Sequence, residues 1–424
     1  MPSSFTKQEM VAFDRLVEGF DDGLVIAKGA TTFTEGNAQD QDRARDEFWI
    51  PAPMIGSSWD GSDATGHFGD VHGLSVPVNV GNWKHSSKAF SATQLRNQFT
   101  IDMWEKSARQ KLQSDVNLSV FNTVALQGGI FSKRAGVASG YDDVADLKTR
   151  MTRVGIGNGD RLAFYESEAS GLMAKDLAQR ATDNDRDHKA YRKGLVASNI
   201  AGFDVYENDL TILKAAAAGG VTTVNGANQR TVPNATVTTA SGELNRDNRY
   251  TDLVVTSANY AGIAIGDAFT IGSAGTAVNE LHLITKQNTG KQKTFRVVGK
   301  PAANTIRVYP AIVDAAEGSD ASKEYANVSQ TPGNGATINW LNTVAGAINP
   351  FFKRESVLLI PGTFEVENGS GVISTSATTD LGVQITYTKQ TNINTLLSSC
   401  RFDLRWGTAL TNPELAGAQM FSQT

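Results

Sequence analysis

Ser91–Gly129 reads SATQLRNQFTIDMWEKSARQKLQSDVNLSVFNTVALQGG. Ser91 followed three residues later by Gln94 is a capping box, in which each side chain receives the other residue's backbone N–H. Neither Pro nor Gly interrupts Ala92 to Gln127, and Gly128-Gly129 ends the run. Trp104, Ala108, Leu112, Val116, Val120 and Val124 recur every four residues, flanked by Leu95, Phe99 and Phe121, so one apolar stripe runs along the segment. The pattern predicts a single helix over Ala92–Gln127, about 36 residues and roughly 54 Å long. Helices of globular domains usually stop at ~10–14 residues. A rod of this length spans a subunit instead of nestling inside one.

A second capping box stands near the N-terminus, at Thr6 and Glu9, with Phe5 and Met10 placed as a hydrophobic staple. It predicts a helix from about Lys7 to Phe20 with Met10, Phe13, Val17 and Phe20 as the apolar side. Asp14, Glu18 and Asp22 follow at four-residue spacing and form an acidic stripe. Between the two helices, Phe48–Pro53 (FWIPAP) leads into a Gly/Asp/Ser-rich stretch, Gly56–Gly73, that reads as a long extended loop or hairpin. Leu74–Val80 alternates like a strand.

After the rod, Tyr141–Arg153 reads as a helix, Arg161–Tyr165 as a strand and Glu168–Arg180 as a helix. Near Ala215–Gly220 the composition shifts. From there to about Gly335 the chain is rich in Thr, Val, Asn and Gly, with short alternating runs at Leu253–Ser257, Ala268–Ile271, Thr294–Val298 and Thr305–Tyr309. Short strands at regular spacing predict a small β-barrel or sandwich. From Ile338 the texture returns to helix and then mixed strands. A β-domain is therefore inserted between two halves of an α/β domain.

Net charge is −5, from 39 Lys+Arg and 44 Asp+Glu. That argues against a protein whose task is gripping phosphate backbones. Met1–Glu47 holds 5 of the basic and 10 of the acidic residues, leaving 34 of each for the rest. The whole charge imbalance thus lies in the N-terminal segment. The single cysteine, Cys400, permits no intrachain disulfide, as expected for a chain made in a reducing cytoplasm. The start MPSSFTKQEM lacks the basic and apolar regions of a signal peptide, and no stretch reaches the ~18 apolar residues of a membrane span.

The segments that superficially resemble catalytic or metal signatures do not match them. Gly155–Asp160 (GIGNGD) fits neither the dinucleotide nor the phosphate-loop spacing and reads as a turn. Asp183, Asp185 and Asp187 open like a calcium loop, but its sixth position is His188 and its twelfth Gly194. His67, His72, His85, His188 and His282 lack the spacing of a helical zinc site. Cys400, inside the strand-like SSCRFDLRW, reads as a buried small hydrophobe. The Trp and Phe residues fall at core periodicity without basic neighbours, unlike a stacking surface for single strands. The expectation is a structural protein without cofactor or metal, and not an enzyme.

In order and spacing, the chain resembles the coat proteins of short-tailed phages of the Salmonella type, which have the HK-97-type capsid fold with an inserted β-barrel domain. Phe48–Pro51 (FWIP), Trp59-Asp60 and Asp63-Ala64-Thr65-Gly66 are similar to the family's N-arm exit and extended loop. Ala201-Gly202-Phe203-Asp204 resembles the segment before the insertion, Asn245–Tyr250 (NRDNRY) its protruding loop, and Tyr325-Ala326-Asn327-Val328 the return. Ile393–Gly407 resembles the last strand region, whereas Arg230–Thr239 and Asp314–Lys323 match poorly.

The resemblance implies an α+β fold with the following organisation. An N-terminal arm with the acidic helix covers 1–47, and an extended loop with flanking strands covers 48–90. The spine helix of a peripheral domain covers 91–127. An axial domain covers 128–217 and 337–393, interrupted by the barrel at 218–336, and the peripheral return covers 394–424. It implies a major capsid protein that self-assembles, as hexamers and pentamers, into an icosahedral shell around double-stranded DNA, with scaffolding-assisted assembly and later expansion. Implied partners are a scaffolding protein, a portal protein at one vertex and packaged DNA held without specific binding, in a virion made in the bacterial cytoplasm, with no membrane. The alternatives are an encapsulin-like compartment shell, which shares the fold, and a surface-binding module.

Two contact sites follow. Glu243, Arg246, Asp247, Arg249 and Asp252, in the loop Ser241–Asp252, carry mixed charge suited to reciprocal salt bridges between capsomers across a two-fold axis. Asp14, Glu18 and Asp22 are the candidates for docking a basic scaffold helix.

Overall fold

The computed structural model describes residues 5–33, 47–52, 61–63, 65, 73–180, 195–240, 242–256, 258–272, 276–367, 369 and 371–424. Most of the extended loop 54–74, the Asp183–Asp187 run and Ser241 lie outside the described residues. The chain divides into two compact units, 1–48 with 78–121 and 357–409, and 49–77 with 122–356 and 410–424.

The first unit begins with helix α1, Lys7–Glu18. Its capping box is present: Glu9 N donates to Thr6 Oγ1 at 3.3 Å and Thr6 N to Glu9 Oε2 at 2.9 Å. The buried side is not the one expected from Met10 and Val17. It is Glu9, Ala12, Phe13 and Leu16, with Phe20 just beyond the helix. The rotation follows from Glu9, whose carboxylate is buried against Lys389 Nζ at 2.6 Å and turns that face inward.

The predicted rod is two helices, α2 (Ala92–Leu95) and α3 (Gln98–Gln127). Ser91 and Gln94 form the expected capping box on α2. The break at Arg96-Asn97 needs no Gly or Pro, because Asn97 Oδ1 accepts from Phe99 N at 3.1 Å and starts a new helix. At 30 residues, α3 is roughly 45 Å long. Its stripe is buried as expected from Trp104 to Val124, but Phe99 at the start is 69% exposed. Polar residues of α3 hold the segment that follows α1: Gln113 Nε2 donates to Gly19 O and Phe20 O, and Asn117 Nδ2 to Gly23 O.

A six-stranded sheet completes this unit. Its order is Thr31–Thr32, Val357–Pro361, Leu397–Leu410, Gln384–Asn392 and Val372–Thr378, and Asn82–Ser91 also pairs with Leu397–Leu410. Aromatic side chains fill the space beside α1 and α3: Trp104 stacks on Phe402 at 4.4 Å and Phe5 on Tyr387 at 4.9 Å. Residues 357–393, expected in the axial half, belong here because Gln384–Asn392 and Val372–Thr378 extend the sheet from Leu397–Leu410. The helix expected after Ile338 is absent among the described residues. Runs such as Val357–Pro361 (VLLIP) are buried strands, whose continuous apolarity does not distinguish strand from helix.

The second unit has two cores. In the first, a six-stranded sheet orders Ile130–Lys133, Ala416–Met420, Asn349–Lys353, Arg161–Glu166, Phe203–Asn208 and Leu195–Ile200. Helices α4 (Tyr141–Val154) and α5 (Ser167–Arg180) belong to it. Val144, Leu147, Met151, Tyr165, Phe203 and Phe351 are buried together. Gly155, left-handed at φ 94°, ends α4, so GIGNGD is the turn expected.

In the second, six strands order as Thr222–Thr223, Thr337–Trp340, Ala268–Ile271, Phe295–Ala302, Thr305–Tyr309 and Thr251–Val254. A bridge between Val224 and Val255, with Asn225 N donating to Val254 O and Thr256 N to Thr223 O, both at 2.9 Å, joins the last strand to the first. The strands therefore close into a ring around Leu253, Phe269, Ile271, Phe295, Val297, Ile306 and Ile338. Closure removes the free edges an open sheet would carry.

Candidate functional site

Among the described residues, no group of three or more His, Cys, Asp or Glu side chains is placed to hold a metal ion. No described helix is long and apolar enough to cross a membrane. Cys400 is 2% exposed, and burial holds its thiol above the ordinary pKa, which favours the unreactive protonated form.

The first candidate contact site is the outer face of α1. Asp14 and Glu18 are exposed on the helix, and neither has an ion pair among the described residues. Asp22 follows in the short turn Asp21–Gly23 and faces Lys28 at 3.9 Å, with 90% of its side chain exposed. The stripe thus continues past the helix end. Asp14 and Glu18 present unneutralised charge, and the exposed Asp22 pair contributes little. This face points outward because the opposite face is fixed by the Glu9–Lys389 pair and by stacking of Phe5 and Phe13 on Tyr387.

The second is the charged loop. The structure resolves its five candidates into different roles. Among the described residues, Thr236–Thr239 and Gly242–Asn245 form a two-stranded hairpin paired only with each other. Glu243 stands exposed on it, and Arg246 follows at its foot. Asp247 and Arg249 form a bidentate pair, 2.9 and 2.8 Å, only 15% and 13% exposed. Arg249 Nη1 also donates to Leu410 O at 2.8 Å. Burial is the largest single influence on Arg249 and lowers its pKa, but the hydrogen bond and charge of Asp247, together with Tyr309 and Tyr250, hold the guanidinium above its ordinary value. Asp252 is bound by Arg307 at 2.8 and 2.9 Å, and Arg307 lies 3.8 Å from the Tyr250 ring centroid. Asp247, Arg249 and Asp252 are therefore committed inside the chain. Glu243 and Arg246 have no ion pair among the described residues. Val237 and Leu244, opposite each other across the hairpin, are 41% and 53% exposed.

The sequence did not reveal how the base of the extended loop is held. Glu47–Pro51 pairs with Ser75–Asn79, and Ser75 bridges to Asp247. The residue that pairs with Arg249 thus also receives the loop's returning strand.

A sequence model of the family described as P22 coat protein - gene protein 5 matches residues 1–422. Among solved structures, the chain is similar to the CUS-3 coat protein I-domain, at 33% identity over 29% of this chain and 95% of that one, with a TM-score of 0.22. It is also similar to a structure from Mycobacterium phage Che8, at 9% identity over 93% and 90% of the two chains, TM-score 0.42. The head structure of Helicobacter pylori bacteriophage KHP40 matches at 11% identity over 100% and 93%, TM-score 0.39.

Proposed function

The chain belongs to the P22 coat protein family, and from that membership we propose that its copies assemble, as hexamers and pentamers, around an internal scaffolding protein into a shell that later expands around packaged double-stranded DNA. It is a major capsid protein, and its copies form the shell of a phage particle. The match over residues 1–422 carries this assignment and takes precedence over an encapsulin-like compartment or a surface-binding module. A portal protein at one vertex and synthesis in the bacterial cytoplasm belong to the same reading. The net charge of −5 fits DNA enclosed without specific binding.

The exposed charge on α1 supports a scaffold dock. Asp14 and Glu18 offer two unpaired carboxylates one helical turn apart, a spacing that a basic helix matches. Asp14→Lys is expected to leave the melting temperature unchanged and to abolish co-assembly with scaffold, measured as closed particles by sedimentation. Normal closed precursor shells from that variant would remove α1 from scaffold docking.

The hairpin supports a contact between capsomers. One free acid and one free base at its foot suit a two-fold pairing, with Glu243 of one copy facing Arg246 of the next and the reverse. The Val237–Leu244 pair adds apolar area at its centre. Surface pairs are worth only ~0–1 kcal/mol each, so Glu243→Arg is expected to weaken assembly modestly and Glu243→Arg/Arg246→Glu to recover it. Light-scattering assembly rates that leave the double exchange as slow as the single change would dismiss the pairing.

A further inference from the structure

Within the second unit, the closed ring of residues 222–340 meets the α/β body through three ion pairs, and we propose that they act as a key fixing the direction in which the ring holds its 236–245 hairpin. Lys293 of the ring donates to Glu414 Oε1 of the body at 2.5 Å. Glu280 of the ring is paired with Arg153, in the last turn of α4. Asp267 of the ring is paired with Lys214 at 2.8 Å, on the segment by which the chain enters the ring.

Five of the six side chains are no more than 10% exposed, and only Arg153, at 28%, is substantially open to solvent.

Each carboxylate also accepts a further hydrogen bond. Asn327 Nδ2 donates to Glu414 Oε1 at 2.8 Å and Thr289 Oγ1 to Glu280 Oε1 at 3.2 Å. Asp267 accepts from Asn342 Nδ2, on the segment leaving the ring, and from Ala264 N. Asp267 therefore ties together the two segments through which the ring is connected.

The polarities are mixed. The ring supplies the cation to one pair and the anion to the other two. A docking angle that satisfies one pair while sliding another places like charges or an unpaired buried charge at the interface. Apolar contact alone, such as Leu283 in the body core, is non-directional. Buried ion pairs add little net stability over apolar residues of similar volume, so three of them at one junction fit a role in specificity. Glu414, Arg153 and Lys214 are positioning residues for the hairpin. Its use as an inter-copy contact rests on the reading above, but the angle itself does not.

The test uses spin labels on the unassembled full chain, at Thr238→Cys on the hairpin and Asp142→Cys on α4, with Cys400 too buried to label. The wild-type distance distribution is expected to be single and narrow. Lys293→Glu and Glu414→Lys are each expected to lose that single peak, and the double exchange K293E/E414K to restore it. Should the single changes fail to fold, Lys293→Met/Glu414→Met removes both charges at similar volume and is expected to fold with a broadened distribution. A wild-type distribution in the folded single variants or in the methionine pair overturns the proposal. So does a double exchange that melts like wild type but stays displaced. A lost peak with normal shells would instead sink the hairpin reading and leave the key standing.

Discussion

Asp267→Ala is expected to destabilise the chain by about 3–5 kcal/mol, the loss seen when one partner of a buried ion pair is removed. Asp267 is fully buried and binds Lys214 Nζ, Asn342 Nδ2 and Ala264 N. Removing its carboxylate leaves the Lys214 ammonium 9% exposed without a counter-charge. It also removes one of the bonds that hold Asn342, which keeps Ala215 O and Ala268 N. The damage therefore falls where the chain enters and leaves the ring. Hydrogen exchange should show accelerated exchange throughout 222–340, with the α4 amides less affected, and urea unfolding followed at Trp340 should shift to lower denaturant. An unchanged urea midpoint would mean that Asp267 does not hold the junction.

Lys389→Ala carries the second large effect, again about 3–5 kcal/mol. It strands Glu9, whose side chain is 3% exposed, on the buried face of α1. Glu9 can no longer stay inside as an unpaired carboxylate, so α1 is expected to detach from the sheet. The acidic stripe would lose its fixed outward presentation, and scaffold co-assembly should fall although Asp14, Glu18 and Asp22 are untouched. Glu9→Gln is the informative contrast. It preserves the capping-box geometry while removing the charge, and together with Lys389→Met it should recover most of the stability. Protease cleavage near residue 20 reads the detachment directly. A Lys389→Ala chain that resists protease like wild type would show that the pair does not hold α1.

Features set by neighbours along the chain were legible in the sequence. Both capping boxes, the Trp104–Val124 stripe, the Gly155 turn and the strands Ala268–Ile271 and Thr305–Tyr309 stand where local chemistry puts them. The inward face of α1 was not legible, because the partner of Glu9 lies 380 positions away. The break before α3 depends on one Asn97 side chain in a sequence without Gly or Pro. The strands after Ile338 were ambiguous because short buried apolar runs have no period to read. In the charged loop, the sequence alone did not divide the five side chains into those paired within the chain and those left exposed. Arg249 takes Asp247 two residues away, whereas Asp252 is claimed by Arg307 from another strand. The pairs joining ring to body link positions as far apart as 127 residues, so they emerge only with the fold.

Electron microscopy of the chain, expressed with and without the scaffolding protein proposed above, tests the shell assignment most directly. Closed icosahedral shells of one diameter are expected when the scaffold is present, and irregular or open assemblies when it is absent. A chain that stays monomeric with the scaffold, while folded by circular dichroism, would contradict it.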